Sequence, residues 1–286
     1  ALFGIAAGLT VIWYTAMFST LSFLKGPMRV EDTTAELIVG AAAVGGVGFY
    51  LMAGHLSDRI GRKAPIVYGY VATLLLLFPV FWAIGNAANP ALDRAARNAP
   101  VIVAGPACDY DVFASKQTSE CGQIVDHLSK KGVKYEKEAA PVTAVSIGGL
   151  PVADTSPAGL DAALAGAGYN LEKVTPSAGR IALILLALLV MMGLSAFTYG
   201  PVAALLSEMF PPRIRYSSMS IPYHLGTGYF GGFLPFISQY VVARTGDPYA
   251  GLWYCWIVTL VALLVTVFGL RESRGDYYEE VAPPKA

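Results

Sequence analysis

The sequence predicts an all-α membrane protein, six transmembrane helices with a small α/β lobe inserted between the third and the fourth. Three observations carry that prediction. Apolar residues make up 55% of the 286 residues and charged residues only 14%, against about 25% charged in a soluble domain. Six stretches (1–24, 37–57, 64–92, 181–207, 216–243 and 248–270) are apolar and nearly free of charge. Each reaches about the 20 residues that cross a bilayer core. The polar segment 86–179, by contrast, holds ten of the twenty acidic residues and eight of the twenty basic ones. These features divide the chain into three membrane helices (1–85), the lobe (86–179), three further membrane helices (180–270) and a polar tail (271–286). Acidic and basic residues balance, so no basic field exists for nucleic acid, and that class of partner is excluded. The partner that the composition does require is the lipid bilayer.

The first apolar stretch opens at Ala1 without a Met and reads as part of a longer protein. In the lobe, β-branched runs at Val101–Val103 and Val142–Ile147 predict strands. Helical periodicity predicts helices near Ser119–Lys131, where Ile124, Val125 and Leu128 share a face, and near Pro157–Ala167. Gly132 and Gly168 follow these helices, as expected just past a helix C-terminus. In the fifth stretch Pro222, Pro235, Gly226, Gly228, Gly231 and Gly232 interrupt the apolar run, which suits either a kinked packing helix or a gating one. Cys255 lies within the sixth stretch and reads as a small apolar packing residue.

Lys and Arg in the short connections set the orientation. Arg59, Arg62 and Lys63 lie in one connection, Arg213 and Arg215 in another, and Arg271, Arg274 and Lys285 in the tail. The opposite side holds only Lys25, Arg29 and Arg244. The first set is expected in the cytoplasm and the lobe in the periplasm of a bacterial inner membrane. Long domains translocate largely regardless of charge, so the lobe's lysines do not oppose this. An oxidising periplasm then favours a Cys108–Cys121 disulfide.

The most specific pattern is Gly54-His55-Leu56-Ser57-Asp58-Arg59-Ile60-Gly61-Arg62-Lys63 between the second and third stretches. Gly54 allows close helix packing and Gly61 a tight turn. Asp58 is suited to accept from a helix N-terminus, and Arg62 and Lys63 to pair with carboxylates at helix ends. A plain cytoplasmic loop accounts for the basic residues but not for Asp58 with two glycines at these spacings. The segment resembles the signature loop of the major facilitator superfamily. Ser207-Glu208-Met209-Phe210-Pro211-Pro212-Arg213-Ile214-Arg215 resembles the element that follows the tenth helix in its sugar porters and metabolite:proton symporters. Trp13–Phe18 and Gly231–Pro235 resemble stretches of the seventh and eleventh helices of the metabolite:proton symporters.

The resemblance implies the C-terminal six-helix half of a twelve-helix fold, with a missing N-terminal six-helix half as partner. The long lobe departs from the short loop usual in that family. The implied function is secondary active transport of a small organic metabolite by alternating access, coupled to protons. Family geometry implies that Trp13, Tyr14, Thr15, Ser195, Tyr199, Tyr223 and His224 face substrate, with bundle packing or an interfacial belt as the competing account of each aromatic. It also implies a gating and salt network of Gly54, Asp58, Arg59, Gly61, Arg62, Lys63, Glu208, Arg213 and Arg215. A carboxylate at the membrane edge is costly unless paired, so Glu208 is expected to join Arg62 or Arg215. The rival is a membrane-anchored receptor whose lobe binds a ligand without transport. An enzyme is not expected, since no cluster of acids, His or Cys has metal-ligand or catalytic spacing. No cofactor is implied, and no nucleotide-binding glycine motif supports ATP drive.

Overall fold

A computed structural model describes residues 2–270 apart from 107, 109, 112, 113, 115, 211 and 212. The tail, 271–286, with Arg271, Arg274 and Lys285, lies outside the described residues, as do Pro211, Pro212 and the Pro222 side chain. The first helix runs as α1 (Leu2–Tyr14), a π-helical turn (Thr15–Ser19) and α2 (Thr20–Lys25). Then come α3 (Asp32–Ile60), α4 (Lys63–Ala88) and α5 (Pro90–Asn98). The lobe follows as β1 (Val101–Gly105), α6 (Glu120–Lys130), β2 (Tyr135–Ala139), β3 (Ala144–Ile147), β4 (Leu150–Pro151) and α7 (Pro157–Gly166). The chain returns as α8 (Ala178–Tyr199), α9 (Val202–Glu208), α10 (Arg215–Gly226), a second π turn (Thr227–Gly231), α11 (Leu234–Thr245) and α12 (Leu252–Gly269).

Among the described residues, five helical segments are long and apolar enough to cross a membrane: Phe3–Lys25, Asp32–Ile60, Lys63–Ala88, Ala178–Glu208 and Leu252–Gly269. The fifth expected span, 216–243, does not form one such helix. It breaks into α10 and α11, of 12 residues each, around the π turn. The glycines at 226, 228, 231 and 232 weaken the helix there, and a π turn absorbs the irregularity.

Small residues let the helices approach closely, since lipid supplies no hydrophobic drive between them. A Cβ on Gly8 would lie 2.3 Å from Ala262 Cβ, where α1 crosses α12, and one on Gly69 would lie 2.7 Å from Thr198 Cγ2, where α4 crosses α8. Tyr70 is fully buried and donates to the Ile5 carbonyl (2.9 Å). Outward, Leu37, Val44, Leu51, Leu75, Leu186 and Phe268 remain exposed, as lipid-facing positions require.

The second π turn is held against α1 by a glycine. A Cβ on Gly231 would lie 2.2 Å from Thr10 Cγ2 and 2.9 Å from the Tyr14 ring. Gly231→Ala is therefore expected to destabilise the bundle by about 1–3 kcal/mol through overpacking. Thr10→Ser removes the offending methyl and should restore most of that stability. Thermal unfolding of both variants in detergent checks this, and equal melting of Gly231→Ala and the parent would refute it.

In the lobe the strand order is β2-β1-β3-β4, with β1 parallel to β2 and antiparallel to β3. The parallel pair is joined by α6, a βαβ crossover. Val103, Val125, Leu128, Leu160 and Leu164 form its separate core. Ser119 and Ser156 cap α6 and α7 by accepting from the Gly122 and Gly159 backbones. Cys108 and Cys121 are bonded to each other, with Cα atoms 4.9 Å apart. The bond closes a separation of 13 residues. Reduction is expected to cost the lobe about 3 kcal/mol and leave the membrane helices intact. A urea midpoint for the lobe that does not move on reduction would contradict this.

The lobe grips the bundle at two places. On one side Glu31 N donates to the Val174 carbonyl (3.0 Å), Val174 N donates to the Arg29 carbonyl (2.8 Å), and Arg29 Nη2 donates to the Leu171 carbonyl (2.6 Å). Lys173 also pairs with Asp32. On the other side the Tyr135 hydroxyl donates to the Ala243 carbonyl (2.5 Å), and Tyr135 N donates to the Gly246 carbonyl (3.2 Å). Burial pushes the Tyr135 phenol above its usual range, so it stays protonated and keeps donating. Glu31 caps α3 with bonds from Thr34 N and Thr33 N, which hold its carboxyl down at about 2. A depressed carboxyl stabilises above its unfolded value and fails only as pH falls through the folded one. That cap therefore holds until the pH approaches about 2.

Candidate functional site

The signature segment does not form the loop that its sequence predicts. Gly54 to Ile60 continue α3, and only Gly61 and Arg62 separate α3 from α4. Gly61 turns the chain with φ +94°, a conformation that favours glycine. Leu56 and Ile60 keep the helix going because nothing before Gly61 breaks it. Gly54 crosses Gly200 closely. A Cβ on Gly200 would lie 2.9 Å from Gly54 N, so α3 and the end of α8 meet backbone to backbone.

Arg62 is the centre of a polar network at this end of the bundle. Its Nη2 and Nε donate to Glu208 Oε1 at 2.9 and 3.2 Å. Its Nη1 donates to Asp58 Oδ1 at 2.5 Å and to Ser57 Oγ at 2.9 Å. Ser57 Oγ in turn donates to the Gly54 carbonyl (2.7 Å). The guanidinium's planar fork thus ties the last turn of α3 to the end of α9. The Glu208 bond, joined by Asp58, raises the Arg62 pKa further above its usual value. The Glu208 side chain is only 7% exposed and that of Arg62 13%. Asp58 sits at the C-terminal end of its own helix, where the dipole disfavours an anion. Its carboxylate accepts from Arg62 rather than from a neighbouring helix N-terminus, which corrects the expected role.

Lys63 Nζ caps another helix, donating to the Val267 and Leu270 carbonyls (2.8 Å each) at the end of α12. These carbonyls are partners that sequence reasoning does not anticipate. Arg215 Nε donates to the Phe210 carbonyl (3.2 Å). Arg59 and Arg213 are exposed, and neither joins these bonds among the described residues. Four helix ends, those of α3, α4, α9 and α12, therefore converge on two neighbouring cations.

The residues expected to face substrate are placed unequally. Tyr199 of α8 lies beside Thr10 of α1 and Tyr223 of α10, and the buried Thr10 Oγ1 makes no hydrogen bond among the described residues. Ser195 is fully buried and accepts from the Tyr50 hydroxyl of α3 (3.0 Å). Trp13, Tyr14 and Phe18 form an aromatic group with centroid separations of 5.1 to 5.8 Å. Thr15 departs from the expectation: it is 1% exposed, within the first π turn, and its carbonyl accepts from Thr20. That turn rotates it into the packing against α12, beside Cys255. His224 is exposed on α10, 5.6 Å from the Tyr223 ring by centroids.

Sequence reasoning missed Tyr50 and Thr10, which supply hydroxyls to the same internal face. The signal for Tyr50 is present: it follows Gly46 by four residues and precedes Ala53 by three, on the stripe that α3 buries. Cys255 is buried and its thiol donates to the Val11 carbonyl (3.6 Å), as a packing residue does.

The sugar (and other) transporter family matches residues 159–283. The chain is 33% identical over 63 residues to a Staphylococcus aureus (strain COL) protein named as a proline/betaine transporter, covering 22% of this chain and 14% of that relative. It is 32% identical over 90 residues to the inner membrane metabolite transport protein YhjE of Escherichia coli (strain K12), covering 31% and 20% respectively. It is 33% identical over 74 residues to a citrate-proton symporter of Klebsiella pneumoniae, covering 26% and 17%. The matched stretches thus span at most a fifth of these relatives. No solved structure matches. In these stretches the chain is similar to transport proteins for small metabolites.

Proposed function

We propose that this chain is one six-helix half of a secondary active transporter. It moves a small organic metabolite by alternating access, coupled to protons, and works with a second six-helix half across the cavity face. The broken helix α10–α11 counts as the fifth of the six spans in this reading. The lobe, 86–179, lies in the periplasm and the tail, 271–286, in the cytoplasm. The observation that carries the proposal is the Arg62 fork on Glu208 and Asp58, which ties α3 to α9 at the end of the bundle opposite the lobe. A receptor has no use for a set of charges that can hold helix ends together in one state and release them in another. Tyr14, Tyr50, Ser195, Tyr199 and Tyr223 then supply hydroxyls along the face shared by α1, α3, α8 and α10. Gly54 and Gly61 set the helix crossing and the turn that present the network.

Uptake of a panel of labelled metabolites by the assembled transporter, with and without an imposed proton gradient, tests this reading. Gradient-dependent accumulation of one solute class is the expected result. Accumulation that ignores the gradient would refute the coupling, and no accumulation of any solute would refute transport. Asp58→Asn should reduce uptake several-fold while the protein still inserts, because it removes one of the two carboxylates that orient Arg62, an exposed pair worth about 0.2–1 kcal/mol. Parental uptake in that variant would remove Asp58 from the gate. The 286-residue chain expressed alone should not accumulate solute, and addition of the second half should restore transport.

A further inference from the structure

A cavity of about 440 Å³ lies in the seam between the lobe and the bundle. That is the size of a small-molecule site. Its apolar wall is built from Phe23 of α2, Phe81 of α4 and Leu252 of α12. The Phe23 and Phe81 rings meet edge to face at 5.5 Å, so this wall is a rigid aromatic surface.

The charged groups come from both sides of the seam. The bundle contributes Lys25, and helix α6 of the lobe contributes Asp126 and Lys130. Lys130 Nζ pairs with Asp126 Oδ2 at 2.7 Å, and Lys25 Nζ pairs with Glu36 Oε1 at 2.5 Å. Glu36 is not part of the cavity wall, and its side chain is 59% exposed, where water screens it. The wall thus holds two lysines and one carboxylate, with the Lys130 side chain 73% exposed at its solvent side. Each ammonium carries three donors and keeps some of them for a further acceptor. Gln239 of α11 adds a neutral amide to the same wall.

We propose that this seam binds a small organic carboxylate with an apolar body. The carboxylate sits between Lys25 and Lys130, and the apolar body lies against Phe23, which Phe81 backs from within the bundle. Asp126 repels the anion from its own end of the wall and so fixes the ligand's direction. Bound there, the ligand bridges lobe and bundle, and it stabilises the docked lobe by mass action. The site is separate from the hydroxyl-lined face between α1, α8 and α10, and it stands or falls apart from transport because binding is read directly.

The test uses the 286-residue chain in detergent, with benzoate as the probe and benzamide as its uncharged counterpart, both followed by calorimetry and thermal shift. Benzoate is expected to bind at least about tenfold more tightly than benzamide, the difference that one charge-assisted contact supplies. Lys130→Gln should weaken benzoate about tenfold or more. Gln239→Glu, which adds an anion without removing any existing contact, should abolish benzoate binding while the protein melts as before. Equal affinity for benzoate and benzamide would overturn the proposal, as would benzoate binding unaffected by both substitutions. Failure of benzoate to bind at millimolar concentration, or an affinity that follows Tyr199→Phe instead of Lys130→Gln, would overturn it too.

Discussion

Replacing Arg62 by Gln is expected to destabilise the bundle by about 3–5 kcal/mol, the cost of removing the cation that donates twice to a buried carboxylate. The Glu208 side chain is 7% exposed, so water cannot take over the bonds from Arg62 Nε and Nη2. Asp58, 61% exposed, loses its partner at far smaller cost, because solvent reaches it. The asymmetry gives the experiment its discriminating form. Glu208→Gln in the Arg62→Gln background removes the buried negative charge, and the double variant should be more stable than Arg62→Gln alone. A pair whose worth is only attraction predicts no such gain, because Arg62→Gln has already removed the whole attraction and the second substitution changes nothing further. Denaturant or thermal unfolding of the three proteins in detergent decides between them. Equal stability of Arg62→Gln and the parent would mean that the carboxylate is solvated and that the network holds nothing.

That network shows how far the sequence leads. Glu208 beside a run of apolar residues already requires a cation, and Arg62 is one of the two cations that spacing offers. The direction of the fork is not legible, because it depends on α3 running on through Gly54 to Ile60 as helix. Local propensity favours that continuation, whereas motif reading imposes a loop. The longest apolar runs are legible as helices because burial in lipid allows no other backbone that satisfies itself. The break at Thr227–Gly231 is visible as a cluster of glycines, although the resulting π turn is not.

The lobe divides in the same way. β1, β3, α6 and α7 carry β-branched runs, apolar periodicity or caps that single-sequence reasoning can find. The edge strand β2 reads Tyr-Glu-Lys-Glu-Ala, and only Tyr135 in it is buried. An edge strand needs one ladder and tolerates charge on its open side, so it leaves little apolar signal. Its assignment comes from pairing with β1, a long-range fact that no local window contains. The contacts of the lobe with the bundle are illegible for the same reason. They use backbone carbonyls at 171, 174, 243 and 246, which carry no side-chain signature.

Gly246→Ala and Gly132→Ala are each expected to release the lobe from the bundle. Both glycines sit in the left-handed region, with φ +74° and φ +71°. An Ala there costs about 1–2 kcal/mol from the backbone alone. Space adds a second penalty. A Cβ on Gly246 would lie 2.1 Å from the Tyr135 carbonyl oxygen, and one on Gly132 would lie 2.5 Å from the Pro27 carbonyl oxygen. Backbone atoms cannot swing aside as a side-chain tip can, so the lobe must lift for the methyl to fit. Gly149 provides the control. It has φ +81° in the turn between β3 and β4, and a Cβ there meets nothing within 4 Å. Gly149→Ala therefore bears the conformational cost without the collision and should leave docking intact. Limited trypsin digestion at Lys134, which lies in this seam and pairs with Asp247 at 3.9 Å, reads the difference. Cleavage should rise by more than about tenfold in the two seam variants, since each tenfold corresponds to only about 1.4 kcal/mol. It should stay near the parental rate in Gly149→Ala. Equal cleavage of all three variants would show that strain alone, and not the carbonyl contact across the seam, decides how the lobe is held.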